Sequence, residues 1–192
     1  MPLSPCIELA CTEQTALLEI ARLSIANGIL EQGPLAVNIA RQPTALRQQR
    51  GVFVTLVQDG SLRGCIGSME PELAIALAVA DSAYSAAFRD PRFNPLGSAE
   101  LDAVRIEVSV LSPMIDLYPA DRADLLASLQ PGTDGLLLSE GRHRATFLPT
   151  VWDQLPEPKQ FLEHLLGKAG LAGDYWSDRL RVQRYTTLTF CE

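Results

Sequence analysis

The sequence predicts an α+β fold of two pseudo-repeated hairpin-helix-strand units, with mostly antiparallel sheet and one helix ahead of them. Three observations carry this. Val52 to Val57 and Ser61 to Gly67 are short extended runs on either side of Gln58-Asp59-Gly60, which supplies turn chemistry. Gly135 to Ser139 and Arg142 to Leu148 repeat the pattern around Glu140-Gly141. Each hairpin is then followed by a helical run and a strand, which is the order of two similar lobes.

Taken along the chain, Glu13 to Leu30 reads as a helix capped by Thr12, with Leu17, Ala21, Ile25 and Gly28 on one stripe and Gly33-Pro34 ending it. Leu35 to Arg50 is polar, contains Pro43 and reads as a surface excursion. After the first hairpin, Pro71 suits a first helical position and Glu72 to Phe88 is rich in alanine and leucine, so a helix is expected to begin directly behind the hairpin. Two prolines in Arg89 to Pro95 stop that helix and leave a stiff charged loop. From Ala103 to Leu111, Val104, Ile106, Val108 and Val110 alternate with Arg105, Glu107 and Ser109, the pattern of a half-buried strand whose valine face lies under helices. Asp121 to Leu129 reads as a short helix. The second hairpin is followed by helical segments from Val151 through Ala169, interrupted by Pro156 and Pro158, and by a last strand from Leu180 to Phe190. The expected organisation is one domain over residues 13–192, with lobes at about 51–130 and 131–192, the N-terminal helix packed on them and residues 1–12 as an extension.

Composition narrows the function. Sixteen basic against twenty-three acidic residues give a net charge of −7, which opposes non-specific attraction to phosphate backbones, so nucleic acid is disfavoured as a partner. No run approaches the roughly 20 apolar residues of a membrane helix, and MPLSPCIELACTEQ lacks an export signal, so a soluble cytoplasmic protein is expected. The cysteines at positions 6, 11, 65 and 191 show neither CxxC nor Cys/His spacing, so neither a disulfide frame nor a zinc site is supported, and no metal or cofactor is assigned.

Reactive chemistry concentrates between Gly51 and Pro71. Strand alternation places Arg63 and Cys65 on one side of the second strand, roughly 7 Å apart, and Leu62, Gly64 and Ile66 on the other. A helix N-terminus aimed near Cys65, together with Arg63, would favour the thiolate. Cys65 then reads as nucleophile or covalent carrier, Arg63 as anion binder and thiolate stabiliser, and Glu107 as acid/base or orienting group. Asp90 and Arg92 could close over a cleft and recognise a charged substrate, while Gly64 and Gly67 would admit a ligand or another backbone. Each has a plainer alternative: an inert core cysteine, a Glu107 solvated or paired with Arg63 or Arg105, an Asp90–Arg92 pair that only fixes its turn, and glycines that only pack. His143 and His164 give no sign of a Cys/His dyad, no serine has a nameable triad partner, and GSLRGCIG lacks the GK[ST] of a phosphate-binding loop.

LRGCIG at Leu62 to Gly67 is similar to the signature of the AMMECR domain, also called AmmeMemoRadiSam system protein A. So are GVFVTL before it, DPRF at Asp90 to Phe93, IEVSVLSP at Ile106 to Pro113, DGLLL at Asp134 to Leu138, FLPTVW at Phe147 to Trp152 and FLEHLLGKAGL at Phe161 to Leu171. The resemblance spans about Glu13 to Glu192 and implies an α+β fold with a duplicated β/α unit. It implies two partners, a Memo-like protein related to extradiol dioxygenases and a radical SAM protein, and it marks the cysteine signature as a functional site without fixing a reaction. The expectation is a thiol-dependent enzyme or substrate-binding component working with those partners on a small molecule or peptide. Its alternatives are a non-catalytic module holding an anionic ligand or peptide, and a scaffold.

Overall fold

A computed structural model describes residues 7–31 and 33–192, and Cys6 with the rest of the first six residues lies outside them. The fold is α+β, with two four-stranded antiparallel sheets distributed over two compact units. One unit comprises Ile7–Leu111 and Leu188–Glu192; the other contains Ser112–Thr187. The division between the units falls at Leu111/Ser112, and the chain's last segment belongs to the first unit.

In the first unit, helix α1 (Cys11–Glu31) buries Leu17, Ala21, Ile25 and Gly28, the stripe read from the sequence. Buried Ser24 on that stripe donates to the Ala80 carbonyl at 2.7 Å and accepts the Leu35 N–H at 3.0 Å, tying α1 to the next helix and to its own exit loop. Gly28 is needed at the crossing, because a Cβ there would stand 2.3 Å from the Phe88 ring. Residues 35–50 form two single 3-10 turns, and Leu46 is fully buried, so this segment contributes to the core rather than merely crossing the surface.

Strands β1 (Val52–Gln58) and β2 (Ser61–Ser68) form the hairpin. Asp59 and Gly60 both have positive φ, 51° and 75°, as a tight two-residue hairpin turn demands. Helix α2 (Ile75–Phe88) begins four residues later than Pro71. The reason is local: Gln49 and Ala74 form a β-bridge that keeps the preceding residues extended, and the Gln48 carbonyl accepts the first helical N–H, from Ile75, at 2.9 Å. With β3 (Arg105–Leu111) and β8 (Thr187–Cys191) the sheet order is β2-β1-β3-β8. Val54, Leu56, Ile106 and Val108 are fully buried beneath the helices, as the alternation from Ala103 requires.

The second unit pairs β4 (Ile115–Leu117), β7 (Arg181–Tyr185), β5 (Gly135–Glu140) and β6 (His143–Phe147) in that order, with α3 (Arg122–Ser128) and α4 (Pro158–Lys168). Its core stacks Trp152 on Phe161, centroids 3.8 Å apart and nearly parallel. Asp134 and Arg184 form a buried ion pair at 3.7 Å. The single strand expected from Leu180 to Phe190 is two strands, β7 and β8, in different sheets. Thr186 separates them, and Ser112 brackets it through its own N–H and its hydroxyl, both at 2.9 Å.

Candidate functional site

Cys65 lies on β2, an edge strand, directly opposite Thr55 on β1, and Thr55 in turn lies opposite Glu107 on β3. Cross-strand partners share a face, so the three side chains form a row across three strands. It is the face away from α2: a Cβ on neighbouring Gly64 would stand 2.2 Å from the Ala86 carbonyl, which places α2 on the opposite side. The Thr55 hydroxyl donates to the Cys65 sulfur at 3.2 Å. Cys65, Thr55 and Glu107 are all half-buried. The Glu107 carboxylate makes no hydrogen bond or ion pair within the described residues, so of its two plainer alternatives the pairing with Arg63 or Arg105 is not made. One step along the same face, the Ser109 and Thr189 hydroxyls meet at 2.9 Å.

The helix end near this strand is not the one expected. Ala86 belongs to the last turn of α2, so the carbonyl end stands over Gly64, while the N-terminus begins at Ile75 beyond the far end of β2. A strand advances about 3.3 Å per residue and a helix about 1.5 Å, so α2 has to run most of its length to come back over Gly64. The negative end of the macrodipole does not favour a thiolate, and that argument for activation falls.

Arg63 also departs from expectation. Leu56 pairs with Gly64 and Val57 with Leu62, leaving Arg63 as the extra residue of a β-bulge. Its guanidinium goes to Glu100, through Nε at 2.8 Å and Nη2 at 3.1 Å, and to the Asn94 carbonyl at 3.0 Å. The Cys65 sulfur therefore receives a threonine hydroxyl and not a cation. Glu100 raises the affinity of Arg63 for its proton, and Arg63 lowers the Glu100 carboxyl in return.

Asp90 and Arg92 hold the backbone of Cys65. The Asp90 carboxylate accepts the Cys65 N–H at 2.9 Å, and Arg92 donates to the Cys65 carbonyl at 3.2 Å. Asp90 also accepts from Arg92 through its backbone N–H at 3.1 Å, Nε at 2.9 Å and Nη2 at 2.7 Å. The pair thus satisfies the outward-facing donor and acceptor of an edge strand, as a further strand would. Arg92's hydrogen bonds, with help from the N–H groups of Cys65 and Arg92, outweigh burial and hold the Asp90 carboxyl far below the usual carboxylate range. The Asp90 side chain is 2% exposed with its oxygens occupied by Cys65 and Arg92, whereas the Arg92 side chain is 53% exposed. Phe93 lies between the two arginines, 6.0 Å from the Arg63 guanidinium carbon and 5.5 Å from that of Arg92. These groups, with Asn94, Pro95 and Glu100, line an open cleft of about 450 Å3. Both cations in it are already matched by Asp90 and Glu100.

Gly64 and Gly67 are packing positions. A Cβ on Gly67 would stand 2.2 Å from the Val52 carbonyl oxygen, so neighbouring backbone occupies the space a ligand would need. In the second unit His143 meets the Ala169 carbonyl at 2.9 Å at the end of α4, and His164 is exposed on that helix. Among the described residues no group of His, Cys, Asp and Glu is spaced to hold a metal ion, and no helix is long and apolar enough to cross a membrane. Sequence reasoning missed Thr55. Counting back from the Asp59-Gly60 turn sets Thr55 opposite Gly64, and only the bulge at Arg63 moves it opposite Cys65.

The family model described as AMMECR1 matches residues 18–190. A protein of Methanothermobacter thermautotrophicus is 38% identical over 187 residues, covering 94% of each chain. Protein MJ0810 of Methanocaldococcus jannaschii is 34% identical over 187 residues, covering 85% of this chain and 91% of its own. Among solved structures, the uncharacterized protein PH0010 from Pyrococcus horikoshii superposes with a TM-score of 0.87 at 29% identity, over 96% of this chain and 93% of that one.

Proposed function

This chain belongs to the AMMECR1 family, and from that premise we propose that it is a thiol-dependent enzyme or substrate-binding component in which Cys65 is the reactive group. The observation that supports this reading is the row Cys65–Thr55–Glu107 on the helix-free face of the first sheet. Packing accounts for Gly64 and Gly67, and edge protection accounts for Asp90 and Arg92. Neither accounts for a thiol held by a hydroxyl beside an unpaired carboxylate.

In this reading the Thr55 hydroxyl, donating to sulfur, holds and orients the Cys65 side chain for attack. Glu107, two strand spacings (about 10 Å) from Cys65 with Thr55 between them, receives the thiol proton by way of solvent on this face, the sulfur electron pair forms a bond to an electrophilic centre of the substrate, and the displaced group departs with the electron pair of the broken bond. Asp90 and Arg92 fix the peptide from which Cys65 projects, and Arg92 faces the approaching substrate. The partners belong to the same proposal: a Memo-like protein and a radical SAM protein, working with this chain in the cytoplasm.

The test is alkylation of the full chain by iodoacetamide at neutral pH, with Cys65 followed by peptide mass spectrometry against glutathione as a free thiol. Faster modification of Cys65 than of glutathione, together with loss of the pathway product in Cys65→Ser, is expected. Equal or slower modification with an intact product defeats the reading and leaves a binding or scaffolding module.

A further inference from the structure

We propose that the first unit contains a second small-molecule site, a cavity of about 190 Å3 between the end of β2 and the first turns of α2, that takes an aliphatic primary ammonium group. Cys65 does not line it, so the inference is independent of the thiol chemistry. Val52, Ile66 and Ala78 give the cavity an apolar wall, while Glu72 and Asp81 are exposed on its lining.

The informative residue is Ser82, which lines the cavity and is 7% exposed. A buried helical serine ordinarily satisfies its hydroxyl, commonly on a carbonyl of the preceding turn. Ser24 does so twice over. The Ser82 hydroxyl has no hydrogen-bond partner among the described residues. The carboxylates of Glu72 and Asp81 likewise make no ion pair or hydrogen bond there. Arg50, the one cation on the lining among the described residues, donates to the Gln49 carbonyl and to Gln48 Oε1, both at 2.8 Å. Glu70 adds a third carboxylate to the same lining.

An unused hydroxyl, the unpaired carboxylates of Glu72 and Asp81 and an apolar wall select the ligand. The three N–H donors of an ammonium match the oxygen acceptors, and a short aliphatic tail matches Val52, Ile66 and Ala78. An anion would meet a net negative lining. A bare divalent cation would need oxygens converging on one point, and among the described residues no group of His, Cys, Asp and Glu is spaced to hold a metal ion. The ammonium could belong to a free amine or to a lysine side chain of a peptide.

The test is an amide NMR titration of the full chain with four probes: butylamine, N-acetyl-lysine methylamide, n-butanol and butyrate. Butylamine is expected to shift the amides of Gly67, Ser68 and Ser82 saturably, n-butanol to bind more weakly and butyrate not at all. Ser82→Ala should weaken butylamine binding. The exposed double variant Glu72→Gln/Asp81→Asn should weaken it by about tenfold, as removal of two partly solvated ion pairs predicts. Tighter binding of the lysine probe assigns a peptide side chain, tighter binding of butylamine assigns a free amine, and either upholds the site. The proposal is overturned if neither ammonium probe gives a saturable shift, if n-butanol or butyrate binds as tightly as butylamine, or if the double variant binds unchanged.

Discussion

The carboxylate of Asp90 accepts the backbone N–H of Cys65 at 2.9 Å, so a residue just beyond the end of α2 fixes the peptide of a cysteine in the middle of an edge strand. Truncating Asp90 strands that N–H and leaves Arg92 without its counter-charge. Asp90→Ala should lower unfolding free energy by about 2–3 kcal/mol, the cost of an unsatisfied buried donor plus a lost charged hydrogen bond, seen as a lower urea midpoint.

The same group makes a pH prediction. The folded Asp90 carboxyl is depressed, so between the unfolded value of about 3.9 and the lower folded value the unfolded chain binds more protons. The stabilisation is complete above that unfolded value and is lost as pH falls toward the folded one. In acid titrations of stability, wild type and Asp90→Asn should be well separated at neutral pH and converge below about pH 4. Curves that stay parallel into acid would show that Asp90 carries no such linkage.

Thr55 is the only hydrogen-bond partner of the Cys65 sulfur in the described residues, which makes it the sharpest probe of the thiol. Thr55→Val keeps shape while removing the hydroxyl. Iodoacetamide modification of Cys65 should slow by about threefold to tenfold, the effect of losing one hydrogen bond that orients the sulfur. Glu107→Gln should slow that modification as well, since it removes the proposed proton acceptor. Modification of Cys11 and Cys191, both exposed, provides the internal control in the same digest.

These variants also show what was legible in the sequence. The hairpin, the helix stripe through Leu17 and Gly28, and the alternation along β3 are written in side-chain period and turn residues, and all appear in the fold. The chemistry around Cys65 was only half legible. Its neighbour Thr55 depends on a bulge at Arg63 that no turn residue announces, and the bulge also redirects Arg63 to Glu100. The position of the α2 N-terminus depends on a bridge between Gln49 and Ala74, a long-range pairing outside any local pattern. Pro71 is permitted at a helix start but does not compel one there.

Gly64 tests the contact between strand and helix directly. Its Cβ would stand 2.2 Å from the Ala86 carbonyl, backbone that cannot swing aside. Gly64→Ala should cost about 3 kcal/mol or more through overpacking. Gly60→Ala, in open space at φ 75°, should cost only about 1 kcal/mol through backbone strain. A Gly64→Ala chain as stable as Gly60→Ala would place α2 farther from β2 than described.

Tyr185 extends the argument to the second unit and to alkaline pH. Its hydroxyl donates to the Phe147 carbonyl at 3.0 Å and meets the Thr146 hydroxyl at 2.7 Å, and its ring passes so near Gly135 that a Cβ there would stand 2.5 Å away. Burial, only partly offset by Thr146, pushes the phenol up to about 12. The folded state therefore holds this proton over a range where the unfolded phenol, at about 10, has lost it. The associated stabilisation is fully present below about pH 10 and fades as pH rises through the folded value near 12. Ultraviolet titration should show one tyrosine ionising above the rest, and that step should vanish in Tyr185→Phe. The variant should also lose about 1–2 kcal/mol at neutral pH from its broken hydrogen bonds, and its stability should fall less steeply between about pH 10 and pH 12 than that of wild type.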